Sequence, residues 1–222
     1  MSASLAGRRV VVTAGPTFED LDPVRFLGNR SSGKMGFAVA AAAVAAGAEV
    51  VLVAGPVHLS TLDGVRRIDV RSAAQMHAAV LDALPADVYV GAAAVADFTP
   101  AGVATSKIKK RPGEDGLTLH LVRTRDILAE VAAHAARPRV VVGFAAETDD
   151  VDANARLKLA AKGADLIAAN RVGLAGSGFE GDENTLVVHD AAGSRQLGPA
   201  SKSAVATALV ALIAGRLAQE MP

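Results

Sequence analysis

The fold of this chain is decided by residues Gly28–Ala54, which read GNRSSGKMGFAVAAAAVAAGAEVVLVA. Small apolar residues run from Gly33 to Ala46 and stop at Gly47, which predicts a helix that can lie close to a sheet and ends with a glycine. Glu49–Ala54 follows at once as an apolar run typical of a buried strand. The start of the helix combines glycine, cationic and hydrogen-bonding residues, which favours an anion-binding site.

The same alternation of strands and helices extends along the rest of the chain. Ser72 and Gln75 form an S-x-x-Q capping box, which predicts a helix from there to about Leu84. The alternation predicts an α/β fold, with a Rossmann-like, mostly parallel sheet covered by helices on both faces, in one domain over residues 1–222. The other predicted strands are Val10–Ala14, Arg67–Val70, Asp87–Ala94, Leu117–Val122, Arg139–Ala145 and Asp165–Ala169, and the other predicted helices are Asp126–Ala136, Asp152–Lys162 and Ser201–Leu217.

Three segments do not fit the simple alternation. Thr17–Ser32 is polar and irregular, and it is too long for an ordinary connection between a strand and a helix. Val95–Gly116 is rich in lysine, glycine and proline, which predicts a basic loop or a long β-arm. Leu186–Leu197 predicts a C-terminal β-hairpin that turns at residues 191–193.

Composition narrows the functional classes. The 222 residues are 51% hydrophobic, which is enough for a sizeable core. Lys plus Arg and Asp plus Glu number 23 each, so no overall positive field predicts a nucleic-acid partner. Cysteine is absent, which excludes disulfides, thiolate nucleophiles and Cys-ligated metals. No apolar run approaches the ~20 residues of a membrane span, so we expect a cytoplasmic protein without membrane contact.

The sequence does not match either of two well-known phosphate-binding motifs. Gly28, Gly33 and Lys34 have the spacing of a Walker A loop, but Met35 stands where that motif requires a hydroxyl for Mg²⁺. The dinucleotide fingerprint fails as well, because Gly15 is followed by proline and threonine. The stretch therefore belongs to neither family of phosphate loops.

An anion-binding loop remains possible at the start of this helix. Asn29 has a carboxamide that can hold an oxygen-rich substrate, and Arg25 can bind a carboxylate or phosphate through two parallel hydrogen bonds. The alternative is that Gly33 and Gly36 only allow the helix to pack closely on the sheet. The residues alone leave both interpretations open.

Further candidates follow the predicted Asp87–Ala94 strand. Asp97 lies in its exit loop and Lys107–Lys110 comes soon after, where ligands of open α/β sheets bind. Such a lysine run is otherwise a solvated surface segment. Lys158 and Lys162 share one helix face, and like charges at that spacing are unfavourable unless they are solvated or face an anion. They therefore form either a wet helix face or a contact to nucleotide.

Several short motifs occur in order along the chain. They are TAGPT at Thr13–Thr17, DPVRF at Asp22–Phe26, NRSSGKMG at Asn29–Gly36, AAVAD at Ala93–Asp97, KIKK at Lys107–Lys110, GFAAET at Gly143–Thr148 and AN at Ala169–Asn170. Together they closely resemble the bacterial phosphopantothenate-cysteine ligases, the synthetase half of the bifunctional coenzyme A biosynthesis protein. The resemblance spans nearly the whole chain. It implies formation of an amide between 4′-phosphopantothenate and cysteine, with CTP and Mg²⁺, through an acyl-cytidylate.

The resemblance also implies roles for individual residues. Asn29 positions the acyl-cytidylate for the amine, Arg25 supports that loop and the substrate, and Lys107 neutralises triphosphate charge. The resemblance further implies a homodimer and a fused flavin-dependent decarboxylase domain in a parent protein. By the same resemblance, Ala93 and Ala94 are expected to contact the acid substrate. The residues expected to enclose CTP are Asp97, Thr124, Arg125, Asp126, Ile127, Phe144, Lys158 and Lys162.

Two residues depart from the family pattern. Phe18 stands where the family often has arginine, and Arg125 stands where proline is common. No carboxylate cluster identifies metal ligands, so Mg²⁺ is expected to be held largely by triphosphate and water. The alternatives are a nicotinamide-dependent reductase, which the missing glycine fingerprint disfavours, and a nucleotide-binding module without catalysis.

Overall fold

The computed structural model describes residues 4–110, 113, 115–147, 150–171 and 182–219. The predicted alternation of strands and helices is confirmed over these residues. The strands are β1 Arg9–Ala14, β2 Phe18–Asp20, β3 Phe26–Gly28, β4 Glu49–Ala54, β5 Val65–Asp69, β6 Val88–Gly91, β7 Phe98–Pro100, β8 Leu121–Arg123, β9 Val140–Glu147, β10 Leu166–Arg171, β11 Glu183–His189 and β12 Ser194–Ser201. The helices are α1 Lys34–Ala45, α2 Ala73–Asp82, α3 Ile127–Ala132, α4 Val151–Lys162 and α5 Lys202–Gln219.

Eight of the described strands form one sheet in the order β12-β11-β10-β9-β6-β1-β4-β5. The six strands from β10 to β5 are parallel. The β11–β12 hairpin adds two antiparallel strands at one edge, as the sequence predicts. Because the chain winds outward on both sides of β1 and β6, a crevice opens at the carboxyl ends of these two strands.

Alternating side chains divide the core between two layers of helices. Val10 and Val12 of β1 pack on the face covered by α1 and α5, whereas Val11 packs on the opposite face with α2 and α3. On that second face, Ala155 of α4 packs against Ile167 of β10. The period of two along each strand therefore places helices on both faces, as expected.

Helix α1 lies unusually close to β1 because of one glycine. A Cβ atom added to Gly36 would lie 2.5 Å from the Cβ of Ala14 and 3.0 Å from the carbonyl oxygen of Thr13. Gly33, the N-cap residue, has a φ of 75° in the left-handed region. Glycine is thus required at both positions, for close approach at the first and for backbone conformation at the second. The packing interpretation of these glycines is confirmed.

The expectation of an irregular Thr17–Ser32 segment is wrong in part, because β2 and β3 form an antiparallel hairpin there. The rings of Phe18 and Phe26 stack with centroids 3.9 Å apart, and Arg71 lies over both. The buried carboxylate of Glu19 accepts a hydrogen bond from the backbone N–H of Ala73, at the start of α2. These tertiary contacts stabilise strands that are too short to be recognised from periodicity, and they give Phe18 a packing role.

The boundaries of other strands also differ from the sequence prediction. Of the predicted strand Leu117–Val122, only Leu121 and Val122 belong to β8, which extends to Arg123. Strand β8 pairs with β7 and forms the base of a short β-arm. The strand predicted at Asp87–Ala94 leaves the ladder after Gly91, because Ala92–Ala94 turn into the crevice. Strand β9 extends to Glu147, two residues beyond the predicted end at Ala145. Residues 111 and 112 of the predicted basic loop lie outside the described residues.

We predict that Gly36→Ala destabilises the protein by about 1–3 kcal/mol, because the new methyl group overlaps Ala14 and forces α1 away from β1. Chemical denaturation monitored by circular dichroism measures this change. Gly215→Ala is the matched control, because nothing lies within 4 Å of a Cβ at this position in α5. In the control, the free energy of unfolding should rise by about 0.5–1 kcal/mol, because alanine has a higher helix propensity than glycine. Equal effects of the two substitutions would contradict the close-packing argument.

Candidate functional site

Two buried threonines hold the loop that leaves β6 in the crevice. Thr13 Oγ1 accepts a hydrogen bond from the backbone N–H of Ala93 at 3.2 Å. Thr17 Oγ1 accepts one from the N–H of Ala96 at 2.9 Å. The backbone N–H of Ala94 donates to the carbonyl of Gly15 at 2.9 Å. The TAGPT motif therefore fixes the AAVAD motif as one wall of the site.

A central cavity of about 390 Å³ lies between this wall and the start of α1. The predicted residues Asn29, Asp97, Phe144 and Lys158 meet here, although they come from four separate parts of the chain. The full lining consists of Asn29, Arg30, Ser31, Ser32, Gly33, Lys34, Met35, Gly36, Ala92, Ala93, Ala94, Val95, Asp97, Phe144, Ala145, Ala146, Lys158, Asn170, Asn184 and Lys202.

A second, flanking cavity of about 570 Å³ adjoins the first. It contains the turn Thr124–Ile127, together with Lys158 and Lys162 of α4. Tyr89 also lines it, and burial raises the pKa of this tyrosine well above its usual range, against the opposing hydrogen bond with Thr13. The two cavities share Ala93, Val95, Asp97, Phe144 and Lys158. The two cavities therefore adjoin along these shared residues.

The carboxamide of Asn29 bridges to the loop after β6. Its Nδ2 atom donates hydrogen bonds to the carbonyl oxygens of Ala94 at 3.2 Å and Val95 at 3.1 Å. Both N–H donors of the side chain are thereby used. What the side chain can offer a ligand is its carbonyl oxygen, which can accept a hydrogen bond from an amine.

The two lysines of α4 are each held by a group of the flanking cavity. Lys158 Nζ donates to the carbonyl oxygen of Phe144 at 2.8 Å. Lys162 forms an ion pair with Asp126, which also caps α3 by accepting from the N–H of Ala129. Partial burial opposes ionisation of Asp126, but the bond from Lys162 keeps the pKa of this carboxyl below its usual value. Both ammonium groups are thus fixed at the cavity wall.

The Thr124–Ile127 turn is tied to the exit loop of β6. Thr124 Oγ1 donates to the carbonyl oxygen of Ala96 at 2.6 Å, and its N–H donates to the carbonyl of Asp97 at 3.0 Å. Arg125 is 70% exposed, with Nη1 3.6 Å from Oε2 of Glu130. The turn therefore keeps its attachment although arginine replaces the proline common in the resembled family.

Asp22 organises a clamp that sequence reasoning missed. It is 2% exposed and accepts hydrogen bonds from the backbone N–H groups of Val24, Arg25 and Ile108, as well as from the guanidinium of Arg25. Arg25 Nη2 also donates to the carbonyl oxygen of Ile108 at 2.6 Å. The Arg25 guanidinium and these N–H groups hold the pKa of Asp22 well below its usual range. The clamp joins the DPVRF motif to the KIKK motif.

Lys107 and Arg25 lie apart from the shared wall. Lys107 lines a separate cavity of about 760 Å³ beside the β-arm, together with Ser106, Ile108 and Lys109. Neither Lys107 nor Arg25 lines the central or the flanking cavity. Arg25 contacts Asp22 and Ile108, so its observed contacts support the loop that carries Lys107.

Outside the NRSSGKMG motif, the central cavity is also lined by Asn170, Asn184 and Lys202, which were not chosen as site residues. Asn170 follows the last predicted parallel strand and belongs to the AN motif at Ala169–Asn170. That motif could have identified it as a site residue from the sequence. Asn184 and Lys202 lie in the C-terminal hairpin and at the start of α5. Their approach to the cavity depends on how that hairpin packs, which local sequence does not reveal.

Over the residues that the structure describes, no group of three or more His, Cys, Asp or Glu side chains could hold a metal ion. Among the same residues, no helix combines the length and apolar character that crossing a bilayer requires.

The fold and crevice define a Rossmann-like α/β protein with a two-cavity candidate site at the switch point of its sheet. A family model described as the DNA/pantothenate metabolism flavoprotein C-terminal domain matches residues 5–217, and the chain belongs to this family. It is 50% identical over 210 residues to a protein from Vibrio cholerae named coenzyme A biosynthesis bifunctional protein CoaBC. It is 51% identical over 189 residues to the protein of that name from Bacillus subtilis.

These alignments cover 94% and 84% of this chain but 53% and 46% of the two relatives. The chain thus spans about half the length of the curated relatives that it matches. Among solved structures, the C-terminal domain of a CoaBC protein superimposes with a TM-score of 0.83 at 36% identity, covering 99% of this chain and 100% of that domain.

We predict that Asp22→Asn increases the rate of tryptic cleavage within Lys107–Lys110 by about tenfold or more, because it removes a charged acceptor of several hydrogen bonds. Limited proteolysis followed by peptide mass spectrometry measures the rate at these sites. Asp20→Asn is the matched control, because Asp20 lies on the same hairpin but pairs with Arg71, outside the clamp. An unchanged rate in Asp22→Asn would show that the clamp does not hold the basic loop.

Proposed function

We propose that this chain is a CTP-dependent ligase that joins 4′-phosphopantothenate and cysteine into 4′-phosphopantothenoylcysteine. The observation that carries the proposal is the pair of adjoining cavities, which share the wall formed by Ala93, Val95, Asp97, Phe144 and Lys158. A reaction between an acid and a nucleotide needs two such sites in contact. The names of the curated relatives also support a role in coenzyme A biosynthesis.

In the first half reaction, a carboxylate oxygen of phosphopantothenate attacks the α-phosphorus of CTP. The new O–P bond gives an acyl-cytidylate, and the bond to the β-phosphate breaks to release pyrophosphate. Lys158 and Lys162 at the flanking cavity supply positive charge for the crowded phosphates. Lys107 adds to this charge if the basic loop approaches the crevice when CTP binds.

In the second half reaction, the cysteine amine attacks the acyl carbon and CMP leaves. Asn29 lies at the central cavity with both of its N–H donors committed to Ala94 and Val95. Its carbonyl oxygen therefore accepts a hydrogen bond from the amine and orients the nitrogen lone pair toward the acyl carbon. The bond between the acyl carbon and the phosphate oxygen breaks so that CMP leaves with that oxygen, and the nitrogen loses a proton to water to complete the amide.

Magnesium fits this site as part of the nucleotide complex. The described residues include no cluster of three acidic or imidazole ligands, so the donor set of the chain alone is incomplete for a resident ion. Triphosphate oxygens and water would supply the ligands of a Mg²⁺ ion that binds together with the nucleotide. Lys158 and Lys162 hold the phosphates at the flanking cavity, and a bound Mg²⁺ ion would neutralise further phosphate charge.

Mass spectrometry tests both half reactions. Wild-type protein with phosphopantothenate, CTP and Mg²⁺ should form the acyl-cytidylate, and added cysteine should convert it to the amide and CMP. Asn29→Asp should form the intermediate but make the amide about 100-fold more slowly, as expected when one positioned catalytic group is lost. Absence of CTP turnover in the wild type would overturn the ligase proposal, and unchanged amide formation in Asn29→Asp would remove its assigned role. CTP binding without any intermediate would instead favour a non-catalytic module.

We also propose a homodimer formed through the β2–β3 hairpin and the β-arm. Large apolar side chains are exposed on these neighbouring elements, including Val24 at 60%, Phe26 at 44%, Phe98 at 48% and Val122 at 42%. Clustered apolar surface of this kind is typical of a protein interface. We further propose that the protein is cytoplasmic. In a longer parent protein, this chain would be fused to a flavin-dependent decarboxylase domain.

Phe98→Arg should shift the protein from dimer to monomer, because a buried guanidinium without a partner is unfavourable in an interface. Sedimentation velocity measures the assembly state at micromolar concentration. Leu157→Arg is the control, since Leu157 is 69% exposed on α4, outside the hairpin and arm. A wild-type monomer, or a Phe98→Arg dimer of wild-type stability, would contradict this interface.

A further inference from the structure

Three polar side chains connect the interior of the protein at α2 to the flanking cavity. His77 Nε2 on α2 lies 2.7 Å from Oε2 of Glu130, which follows the turn at the start of α3. The same oxygen lies 3.6 Å from Nη1 of Arg125. Arg125 lines the flanking cavity, whereas His77 and Glu130 do not. We call these three residues the Glu130 triad.

His77 anchors the carboxylate of Glu130 to α2. Carboxylate oxygens only accept hydrogen bonds, so this contact requires a proton on Nε2 of His77, which donates to Glu130. The separation of 2.7 Å is that of a charge-assisted hydrogen bond. His77 is 8% exposed, whereas the side chain of Glu130 is 39% exposed. The triad therefore begins at a buried donor and ends at the cavity.

Arg125 is attracted to Glu130 without being hydrogen-bonded to it. Their separation of 3.6 Å is within the range of an ion pair but too long for a hydrogen bond. Within the part of the chain that the structure describes, the guanidinium of Arg125 makes no hydrogen bond. Lys158 and Lys162 in the same cavity are each held by a hydrogen bond or ion pair. Arg125 thus offers the N–H donors of its guanidinium to a ligand.

His77 and Arg125 compete for one oxygen of Glu130. A carboxylate can pair with arginine through two parallel hydrogen bonds, and such a pair would satisfy much of the guanidinium. That pair is not formed here, because Oε2 of Glu130 accepts from His77 and lies beyond hydrogen-bond distance from Arg125. The hydrogen bond from His77 therefore keeps Glu130 from neutralising Arg125 fully.

Arg125 also adds a cation where the resembled family commonly has proline. A proline carries no charge and no side-chain donor, so the Arg125–Glu130 ion pair is a departure from that pattern. The cavity that Arg125 lines is the one in which the proposed function places the nucleotide phosphates. A planar guanidinium matches phosphate oxygens in geometry and charge.

We infer that Arg125 binds a phosphate group of the nucleotide, and that Glu130 and His77 are positioning residues that set how available its guanidinium is. This inference rests on the proposed function, which places CTP in the flanking cavity. On binding, Arg125 exchanges its loose ion pair with Glu130 for charge-assisted hydrogen bonds to phosphate oxygens. Glu130 opposes this exchange and His77 assists it, so substitutions of the two residues have opposite effects on CTP affinity.

Calorimetric titration with CTP and Mg²⁺ tests the inference without requiring catalysis. Arg125→Met should weaken CTP binding about tenfold or more, as expected when charged hydrogen bonds are lost, and Arg125→Lys should retain part of the affinity. Glu130→Gln should tighten binding about 2–5-fold, because the competing charge is removed. His77→Leu should weaken binding about 2–5-fold, because Glu130 then pairs fully with Arg125. These smaller changes are those expected of exposed ion pairs.

Double substitutions separate positioning through Arg125 from a general structural effect. In the Arg125→Met background, neither Glu130→Gln nor His77→Leu should change CTP affinity further. His77→Gln should keep the wild-type affinity, because its side-chain amide still donates a hydrogen bond to Glu130.

Glu49→Gln is the matched control for Glu130→Gln. Glu49 Oε1 lies 3.7 Å from Nε of Arg9, so this substitution also removes the carboxylate of a loose ion pair with arginine. Glu49 is the first residue of β4 and therefore lies at the end of the sheet opposite the crevice. CTP affinity should not change in this control.

Each other outcome contradicts a specific part of the inference. Weaker CTP binding by Glu130→Gln, tighter binding by His77→Leu, or persistence of either effect in Arg125→Met would overturn it. If His77→Leu does not fold, Glu130→Gln alone and combined with Arg125→Met gives the same decision. CTP binding with the expected opposite effects but without acyl-cytidylate would refute the ligase proposal and support the Glu130 triad. A wild-type protein that does not bind CTP would overturn both.

Discussion

The close packing of α1 on β1 is the constraint on which the site depends. A Cβ atom at Gly36 would lie 2.5 Å from Ala14, so only glycine allows this approach. The contact places the start of α1 at the carboxyl end of β1, where the parallel sheet opens its crevice. Asn29 and Lys34, on either side of the Gly33 N-cap, therefore line the same cavity. A helix one side chain further from the sheet would move both away from the β6 exit loop.

Charged groups of the crevice and of the Asp22 clamp are held by specific partners. Asp126 fixes Lys162, the Phe144 carbonyl fixes Lys158, and Asp22 joins Arg25 to the loop that carries Lys107. Each partner holds a flexible cation in place before a ligand arrives, which lowers the entropy lost on binding. This arrangement explains why several motif residues contact other protein groups although they stand near a ligand site.

Sequence patterns predicted the sheet and helices well, but they left short elements and remote neighbours undetermined. The capping box at Ser72 and the glycine after α1 are local signals, and both are present in the structure. The β2–β3 hairpin has only three residues in each strand and depends on Arg71 and Ala73 from elsewhere. Asp22 was visible within a motif, yet its hydrogen bond to Ile108 links residues 86 positions apart.

The sequence by itself determined the Rossmann-like fold, because hydrophobic periodicity, glycine positions and caps act over a few residues. It also singled out Asn29, Asp97, Phe144 and Lys158, which line one cavity although they come from four separate parts of the chain. Only the tertiary structure decided that Lys202 reaches this cavity and that Lys107 lines another. The physical reason is that such neighbours depend on how the C-terminal hairpin, α5 and the β-arm pack, and packing joins residues that no local pattern connects.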